Sequence, residues 1–364
     1  IWDVDIRRIP QCYNNKSFIV DRTSESLGIA YQMHWPNRQW ETGRNQKKSV
    51  LHNKLEQLGA VFGQSAGWER ANWFADSGQK AEYKYDFFKQ NWFDNNRKEH
   101  EAVREHVGIF DQSSFSKFLI QGDDALEVLN KLATANLDKP VGKVVYTQFL
   151  NKVGGVEADL TITRLSETEF FLVTAAFTAT HVFSWIKEKI EQGQFCVITD
   201  VSSAYSMLNI QGPKSRELIS NVTDPASMSN ELFPFGTSKT LEIGYQTALA
   251  VRISYTGELG YELYIPTEMT EFVFDKIVKE GANFNLKHCG YHALNSLRIE
   301  KAYREWSHDM GPRDSITECG LHFTCDWSKP CGFLGKDYLE GIKQDQVSRR
   351  LVQFKLKDSE ALLF

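Results

Sequence analysis

The nine-residue run VEADLTITR, Val156 to Arg164, follows the glycine pair Gly154-Gly155 and alternates in side-chain character at period two. That period predicts a β-strand with Asp159, Thr161 and Thr163 on one face and Leu160 and Ile162 on the other. A carboxylate flanked by hydroxyls, backed by aliphatic packing and entered through a turn, suits a cationic or amine-rich ligand. An ordinary half-exposed strand carries the same alternation, so other segments must decide between the two.

From about residue 98 the chain is regular. KEHEAVREHV reads as a helix, FSKFLIQG as a strand, and DDALEVLNKLA as a helix capped by Asp123 or Asp124. Strands follow near 143–150, 156–165 and 169–175, then a helix near 178–191. A second set repeats the logic: strands near 195–200 and 205–211, a helix from Pro213 to Ser220, strands near 246–255 and 261–265, and helices near 268–281 and 291–304. Strand clusters broken by helices, without strict βαβ alternation, predict an α+β fold.

The first 45 residues or so hold no self-sufficient core pattern and end in the aromatic cluster HWPNRQWETGR. A short helix at 50–58, a strand-like GAVFG and the aromatic anchor GWERANWF follow, and 75–98 reads as a linker. The chain opens on Ile1 and closes soon after the strand-like LVQFKLK, so both ends read as cut from a longer protein.

The length of 364 residues fits two or three domains, and 41% hydrophobic with 24% charged residues is the composition of a soluble globular protein. Apolar runs stay well below the roughly 20 residues that span a bilayer, which argues against membrane insertion. A net charge of −5 without a basic block lacks the footprint of a nucleic-acid binder. The six cysteines are scattered with no CxxC pair, which fits a reducing compartment: the cytoplasm, or the mitochondrial matrix in a eukaryote. His288 and His292 stand four apart, but Gly290 between them points to a loop entering a helix. Cys319, Cys325 and Cys331, spaced by six, lack zinc spacing, so no metal site is expected. Neither GxGxxG nor GxxxxGK[ST] occurs, which argues against nucleotide binding here, and no serine in a nucleophile elbow or cysteine with a histidine partner stands out by motif, which argues against covalent hydrolase chemistry.

A second motif is SYTGELGYELYIP, Ser254 to Pro266. The alternating run Thr247, Leu249, Val251, Ile253, Tyr255 turns Tyr255 inward, with a phenol that needs a partner. Gly257 and Gly260 are expected to turn the chain so that Glu262 returns near Tyr255. The pair could read the amide and amine edge of a heterocycle, or the segment could be a plain hairpin. In LRIEKAYREW, Arg298 and Glu300 form either an exposed pair or a buried brace, exposed charges being the commoner case. Trp68, Trp73, Trp92 and Phe93 read as interface filling.

The ordered set GIFDQSSFSKF, YTQFLNKVGGVEAD, LNIQGPKSR, YTGELGYE and LRIEKAYREW resembles the folate-binding half of the dimethylglycine and sarcosine dehydrogenase or oxidase family, over about residues 98–364. That half is similar to the glycine-cleavage T-protein, an aminomethyltransferase. The resemblance implies a T-protein-like folate-binding fold (98–312) with a truncated β-rich subdomain behind it (313–364). Ahead of it come a bridging segment (46–97) and the tail of an FAD-dependent amine oxidase domain (1–45). It implies Asp159 as the catalytic carboxylate beside the reactive amines of tetrahydrofolate. Tyr146, Thr161, Val173, Tyr255 and Glu262 are implied as cofactor-binding residues, Glu262 reading the pterin. The chain departs from the T-protein at Leu294, where an arginine is expected, and near Ala175, where an asparagine is expected.

The implied chemistry starts with a flavin domain, upstream of this chain, that oxidises an N-methyl amine such as dimethylglycine or sarcosine to an iminium. Tetrahydrofolate then captures the one-carbon unit to give 5,10-methylenetetrahydrofolate, and the electrons pass to oxygen or a carrier protein. Two alternatives keep the same fold: a noncatalytic regulatory protein, and a demethylase that uses another donor.

Overall fold

The computed structural model describes residues 4–6, 9–342 and 347–358. In chain order its regular elements are α1 (Lys16–Ile29), α2 (His52–Gln57), β1 (Ala60–Ser65), β2 (Trp68–Phe74), α3 (Phe93–Glu105), β3 (Val107–Asp111), β4 (Ser116–Gln121), α4 (Ala125–Leu132), β5 (Val144–Leu150), β6 (Val156–Arg164) and β7 (Glu169–Thr174). Then come α5 (Ala179–Glu188), β8 (Val197–Asp200), β9 (Tyr205–Gln211), α6 (Ser215–Val222), β10 (Ser238–Ile243), β11 (Gln246–Val251), β12 (Gly260–Pro266), α7 (Thr270–Gly281), β13 (Leu286–His288), α8 (Tyr291–Glu300) and α9 (Lys336–Glu340).

Two larger sheets carry the architecture. One runs β5-β6-β7-β4-β8, antiparallel throughout, and the other runs β10-β11-β12-β9-β3-β13, with only β13 parallel to its neighbour. Alternation along β6 buries Ala158, Leu160 and Ile162 against Val128 and Leu129 of α4 and Val182 and Ile186 of α5. Each such aliphatic side chain contributes about 1.5–3 kcal/mol by leaving water. On the second sheet, Leu208, Ile210 and Leu263 pack on α6 and α7 in the same way. The remaining sheet faces turn toward each other: Phe171 and Val173 meet Met207, Val251 and Tyr264, with the Phe171 and Tyr264 rings edge to face at 5.1 Å. The result is two sheet-and-helix layers with the sheets innermost, an α+β fold.

Several expectations need correction. The stretch without a core pattern contains α1, a helix capped by Asn15 that buries none of its residues, which is why no apolar periodicity marks it. The linker read over 75–98 holds a loop whose Tyr83, Tyr85 and Trp92 pack with Trp73, and α3 starts inside it at Phe93. Strand β11 stops at Val251, four residues before the expected end. Asp124 sits at the N-cap of α4 but makes no cap; its carboxylate accepts from the Phe195 amide. The segment 351–357, expected as a strand, is not in one: Leu351 makes a single backbone bond to Glu318, and a strand needs a paired neighbour.

The glycine pair before β6 has a steric role. A Cβ on Gly155 would lie 2.0 Å from the Pro312 carbonyl oxygen, because the 306–316 segment closes over the start of the strand. There the indole of Trp306 donates to the Val156 carbonyl at 2.8 Å. Gly155→Ala is expected to lower unfolding free energy by about 1–3 kcal/mol, the usual overpacking range. Urea denaturation checks this; an unchanged midpoint would mean the closure is loose.

Candidate functional site

The candidate site lies between the inner faces of the two sheets. Register sets Tyr146 opposite Thr161, Thr161 opposite Val173, and Gln148 opposite Asp159. Directly opposed residues share a sheet face. Asp159, Tyr146, Thr161 and Val173, carried on three strands, therefore form one patch.

Asp159 is half-buried on this patch. Gln148 Nε2 donates to its carboxylate at 2.8 Å, and the Tyr146 phenol is hydrogen-bonded to the same group. The Gln148 amide is oriented from behind, since Thr324 donates to its Oε1. Burial raises the Asp159 pKa to about 6, against the opposing bonds from Gln148 and Tyr146 and the charge of Arg304. The Tyr146 phenol is driven well above its ordinary value, by burial first and then by Asp159. Lys117, opposite Val173, is fully buried with its Nζ on the Ser113 carbonyl, and burial lowers its pKa to about 8.

Tyr255 enters from the turn after β11. Gly257 adopts φ 78°, a region open to glycine, and its amide donates to Ser254 Oγ at 3.0 Å. The inward phenol finds its partner in the Arg304 carbonyl, 2.7 Å away. Burial raises its pKa far above the ordinary tyrosine value, and its charged neighbours include Arg298, Glu305 and Asp159. Tyr255 in turn raises Tyr146 electrostatically, so it belongs with the Asp159 patch.

Glu262 occupies the opposite sheet, on β12, paired with Val251 and Asn209. The Tyr264 hydroxyl donates to Glu262 Oε2 at 2.6 Å, the only hydrogen bond to this carboxylate among the described residues. Burial pushes its pKa up to about 7, opposed by that bond. The expected return of Glu262 onto Tyr255 is corrected: Tyr255 is held by Arg304 and Glu262 by Tyr264, because the chain leaves the sheet at Val251 instead of running a continuous hairpin.

Of the two readings of Arg298, the buried brace holds, though not with Glu300. It is buried and bonds Asn295, Tyr303, Glu305 and Asp309, fixing the loop that carries Arg304, while Glu300 pairs with Arg104 and His100. Gln148 and Tyr264 went unread although the signal for them was legible, each standing two residues along a strand from a recognised site residue. Arg304 was not, because it lies in irregular chain brought in by α8. His288 ends β13, whereas His292 meets Tyr83 at 3.0 Å, so the two do not converge. No group of three or more His, Cys, Asp or Glu fit to hold a metal occurs among the described residues.

Chemically, the site joins a half-buried carboxylate near neutrality, a phenol and an amide fixed on it, and a second carboxylate on the facing sheet. Such a group can steady a cation or exchange a proton with an amine.

Comparison with known proteins identifies the family and the fold. Residues 51–329 match the GCVT N-terminal domain model, and residues 1–49 match the FAD dependent oxidoreductase central domain. The chain is 43% identical over 98% of its length to 4-methylaminobutanoate oxidase (formaldehyde-forming) from Paenarthrobacter nicotinovorans, covering 43% of that protein. It is 32% identical over 99% of its length to the mouse mitochondrial pyruvate dehydrogenase phosphatase regulatory subunit, covering 42% of it, and 35% identical over 97% of its length to human mitochondrial sarcosine dehydrogenase, covering 43% of it. The chain thus spans less than half the length of these relatives. Its fold matches the crystal structure of glycine cleavage system aminomethyltransferase T from Bartonella henselae with a TM-score of 0.67, at 24% identity over 82% of this chain and 75% of that one. The chain belongs to the GCVT family, in the branch where that domain follows the central domain of an FAD-dependent oxidoreductase.

Proposed function

We propose that this chain is the tetrahydrofolate-binding, one-carbon-transfer part of an FAD-dependent N-methyl amine dehydrogenase or oxidase. Dimethylglycine, sarcosine and 4-methylaminobutanoate are its substrate class. Residues 1–45 are the tail of the flavin domain, 46–97 the bridging segment, 98–312 the folate-binding domain and 313–364 a C-terminal subdomain. The observation that carries the reading is Asp159, held by Gln148 and Tyr146 and raised to about pH 6, facing a sheet whose Glu262 is raised to about 7.

The donor set suits the ligand. An aminopyrimidine presents adjacent N–H groups, and Glu262 offers one oxygen held by Tyr264 with the other open to them. Val173 supplies an apolar wall, and Thr161 a hydroxyl beside Asp159. Bound tetrahydrofolate supplies the nucleophilic amines that take up the one-carbon unit, giving 5,10-methylenetetrahydrofolate. Asp159 orients those amines, holds or moves their proton at its carboxylate, and steadies positive charge developing beside it. Tyr146 and Gln148 keep the carboxylate aimed. Burial between the sheets excludes water and so limits hydrolysis of a reactive iminium to formaldehyde. The flavin, in the domain ahead of this chain, performs the oxidation.

The similarity to a phosphatase regulatory subunit favours a second reading, a noncatalytic regulator of this fold. Calorimetric titration of 5-formyltetrahydrofolate separates the two. Binding is expected, and Glu262→Gln is expected to weaken it by about 10- to 100-fold, the range for a hydrogen bond to a charged group. Absence of binding by the folded wild-type protein would favour the regulator.

A further inference from the structure

Gln148 is fully buried, and the two ends of its side-chain amide have the same shape, so what holds one end decides which end meets Asp159. The holder is Thr324, in a single helical turn (His322–Thr324) that lies 176 residues further along the chain. A threonine hydroxyl has one hydrogen to give. Two acceptors lie within its reach, Gln148 Oε1 and the Leu321 carbonyl at 2.7 Å. The Leu321 carbonyl already accepts from the Thr324 amide at 3.0 Å, which leaves the hydroxyl hydrogen for Gln148. With Oε1 so occupied, the NH2 end of the amide donates to Asp159 Oδ1 at 2.8 Å. The reverse orientation would set a carbonyl oxygen against an ionised carboxylate, two acceptors with no hydrogen between them.

The chain around Thr324 keeps it there. Residues 321–334 form a strap across the end of α4, where the Asp326 amide donates to the Thr134 carbonyl at 2.9 Å and the Leu334 amide to the Lys131 carbonyl at 3.1 Å. Lys329, 3% exposed, directs its ammonium to the carbonyls of Asn130, Ala133 and Ala135. A cation is favoured at that end of a helix, where carbonyls lack helical partners. The strap also braces the backbone of Gln148 through Thr134, whose amide donates to the Gln148 carbonyl at 3.0 Å and whose hydroxyl accepts from the Gln148 amide at 3.3 Å. Side chain and backbone of Gln148 are thus both held from the strap.

We propose that Thr324 is a positioning residue for the one-carbon transfer: its hydroxyl, carried on a strap that Lys329 clamps to α4, orients the Gln148 amide so that Asp159 meets a donor. This rests on the folate reading above and deepens it. Thr324 acts on Asp159 through Gln148, and its loss frees the amide to present either end to the carboxylate. The same bond polarises the amide, which strengthens the Nε2 donor at its far end.

The test uses the intact flavoprotein supplied with amine and tetrahydrofolate, and reads the ratio of 5,10-methylenetetrahydrofolate formed to formaldehyde released, so that a change in the oxidation itself cancels. Thr324→Val keeps the shape of the side chain and removes the hydroxyl, and Gln148→Met does the same for the amide. Thr324→Ala repeats the comparison should the valine variant not fold. Thr324→Val is expected to lower the ratio by about 10-fold, the effect of one buried hydrogen bond that ends on a charged group. Thr324→Ser, which keeps the hydroxyl, is expected to recover most of it. In the Gln148→Met background Thr324→Val is expected to add no further loss, the coupling that marks a residue acting through another. An equal loss in both backgrounds would make Thr324 merely structural and overturn the proposal, as would a Thr324→Val ratio equal to that of wild type. Wild type that releases formaldehyde regardless of tetrahydrofolate would instead overturn the folate reading, and the role of Thr324 with it.

Discussion

Asp159→Asn is expected to leave amine oxidation intact while cutting one-carbon delivery to tetrahydrofolate by about 10²- to 10⁴-fold, the usual contribution of a positioned acid or base. Asparagine preserves the shape of the residue and an oxygen for Gln148 Nε2, so the site stays assembled. It removes the negative charge and the exchangeable proton. The one-carbon unit then leaves as formaldehyde, measured by trapping during turnover of the intact flavoprotein.

The same substitution has a thermodynamic signature that tests the environment of Asp159 independently of catalysis. Its folded pKa of about 6 lies above its ordinary value of 3.8, because burial disfavours the charged form. The folded protein thus holds this proton more tightly than the unfolded chain. The associated stability is fully present below about pH 4 and is lost as pH rises through 6. At pH 8 the wild type carries the ionised, desolvated group, a destabilisation on the order of 3 kcal/mol. Asp159→Asn escapes it, so the variant should be the more stable protein at pH 8 and indistinguishable near pH 4. Guanidinium denaturation at the two pH values checks this, and equal stability at both would place Asp159 in a solvated setting instead.

Glu99→Ala is expected to have the largest effect on stability, about 3–5 kcal/mol, the loss expected when a buried hydrogen-bonded acid is removed. Glu99 is fully buried on α3, and its two carboxylate oxygens accept from the Phe74 amide of β2 and the Gly290 amide at the head of α8, each at 2.8 Å. Alanine orphans both donors where water cannot replace the lost acceptor. The same joint fixes the start of α8 on β2 and, with it, Tyr291 against Ser114. Burial raises the Glu99 pKa to about 8 against those two bonds. Chemical denaturation of Glu99→Ala and Glu99→Gln measures the effect. Glutamine keeps one acceptor and should recover part of the loss, and a near-neutral alanine variant would show that the joint is held elsewhere.

The sheets and their helices were legible because β6, β7, β9 and β12 carry uninterrupted alternation or apolar runs, and α4, α5 and α7 carry clear apolar faces. Strand β10, SKTLEI, was missed because four of its six residues lack burial and it sits at a sheet edge, where the apolar signal is weakest. Helix α1 escaped for the corresponding reason, having no buried face. In the site, the strand-borne residues Asp159, Thr161, Tyr146 and Val173 fall together because strand period and register determine their faces. Tyr255 and Arg304 lie on irregular chain, and their meeting depends on the buried Arg298 network, which no local pattern reveals.

Residues 51–74, proposed above as part of a bridging segment, share their core with the second sheet. Leu51, Leu55, Ala60, Ala71 and Phe74 pack in one cluster with Leu208, Ile210 and Leu263 of the second sheet. Residues so packed belong to the body that holds the second sheet instead of forming a free tether.

The central claim is that the site between the sheets passes a one-carbon unit to tetrahydrofolate. Its most direct measurement is formaldehyde released per amine oxidised by the intact flavoprotein, with and without tetrahydrofolate, in wild type and Asp159→Asn. The account predicts that tetrahydrofolate suppresses formaldehyde and yields matching 5,10-methylenetetrahydrofolate in the wild type, and fails to do so in the variant. Formaldehyde release indifferent to tetrahydrofolate in the wild type, with the amine still oxidised, would contradict it.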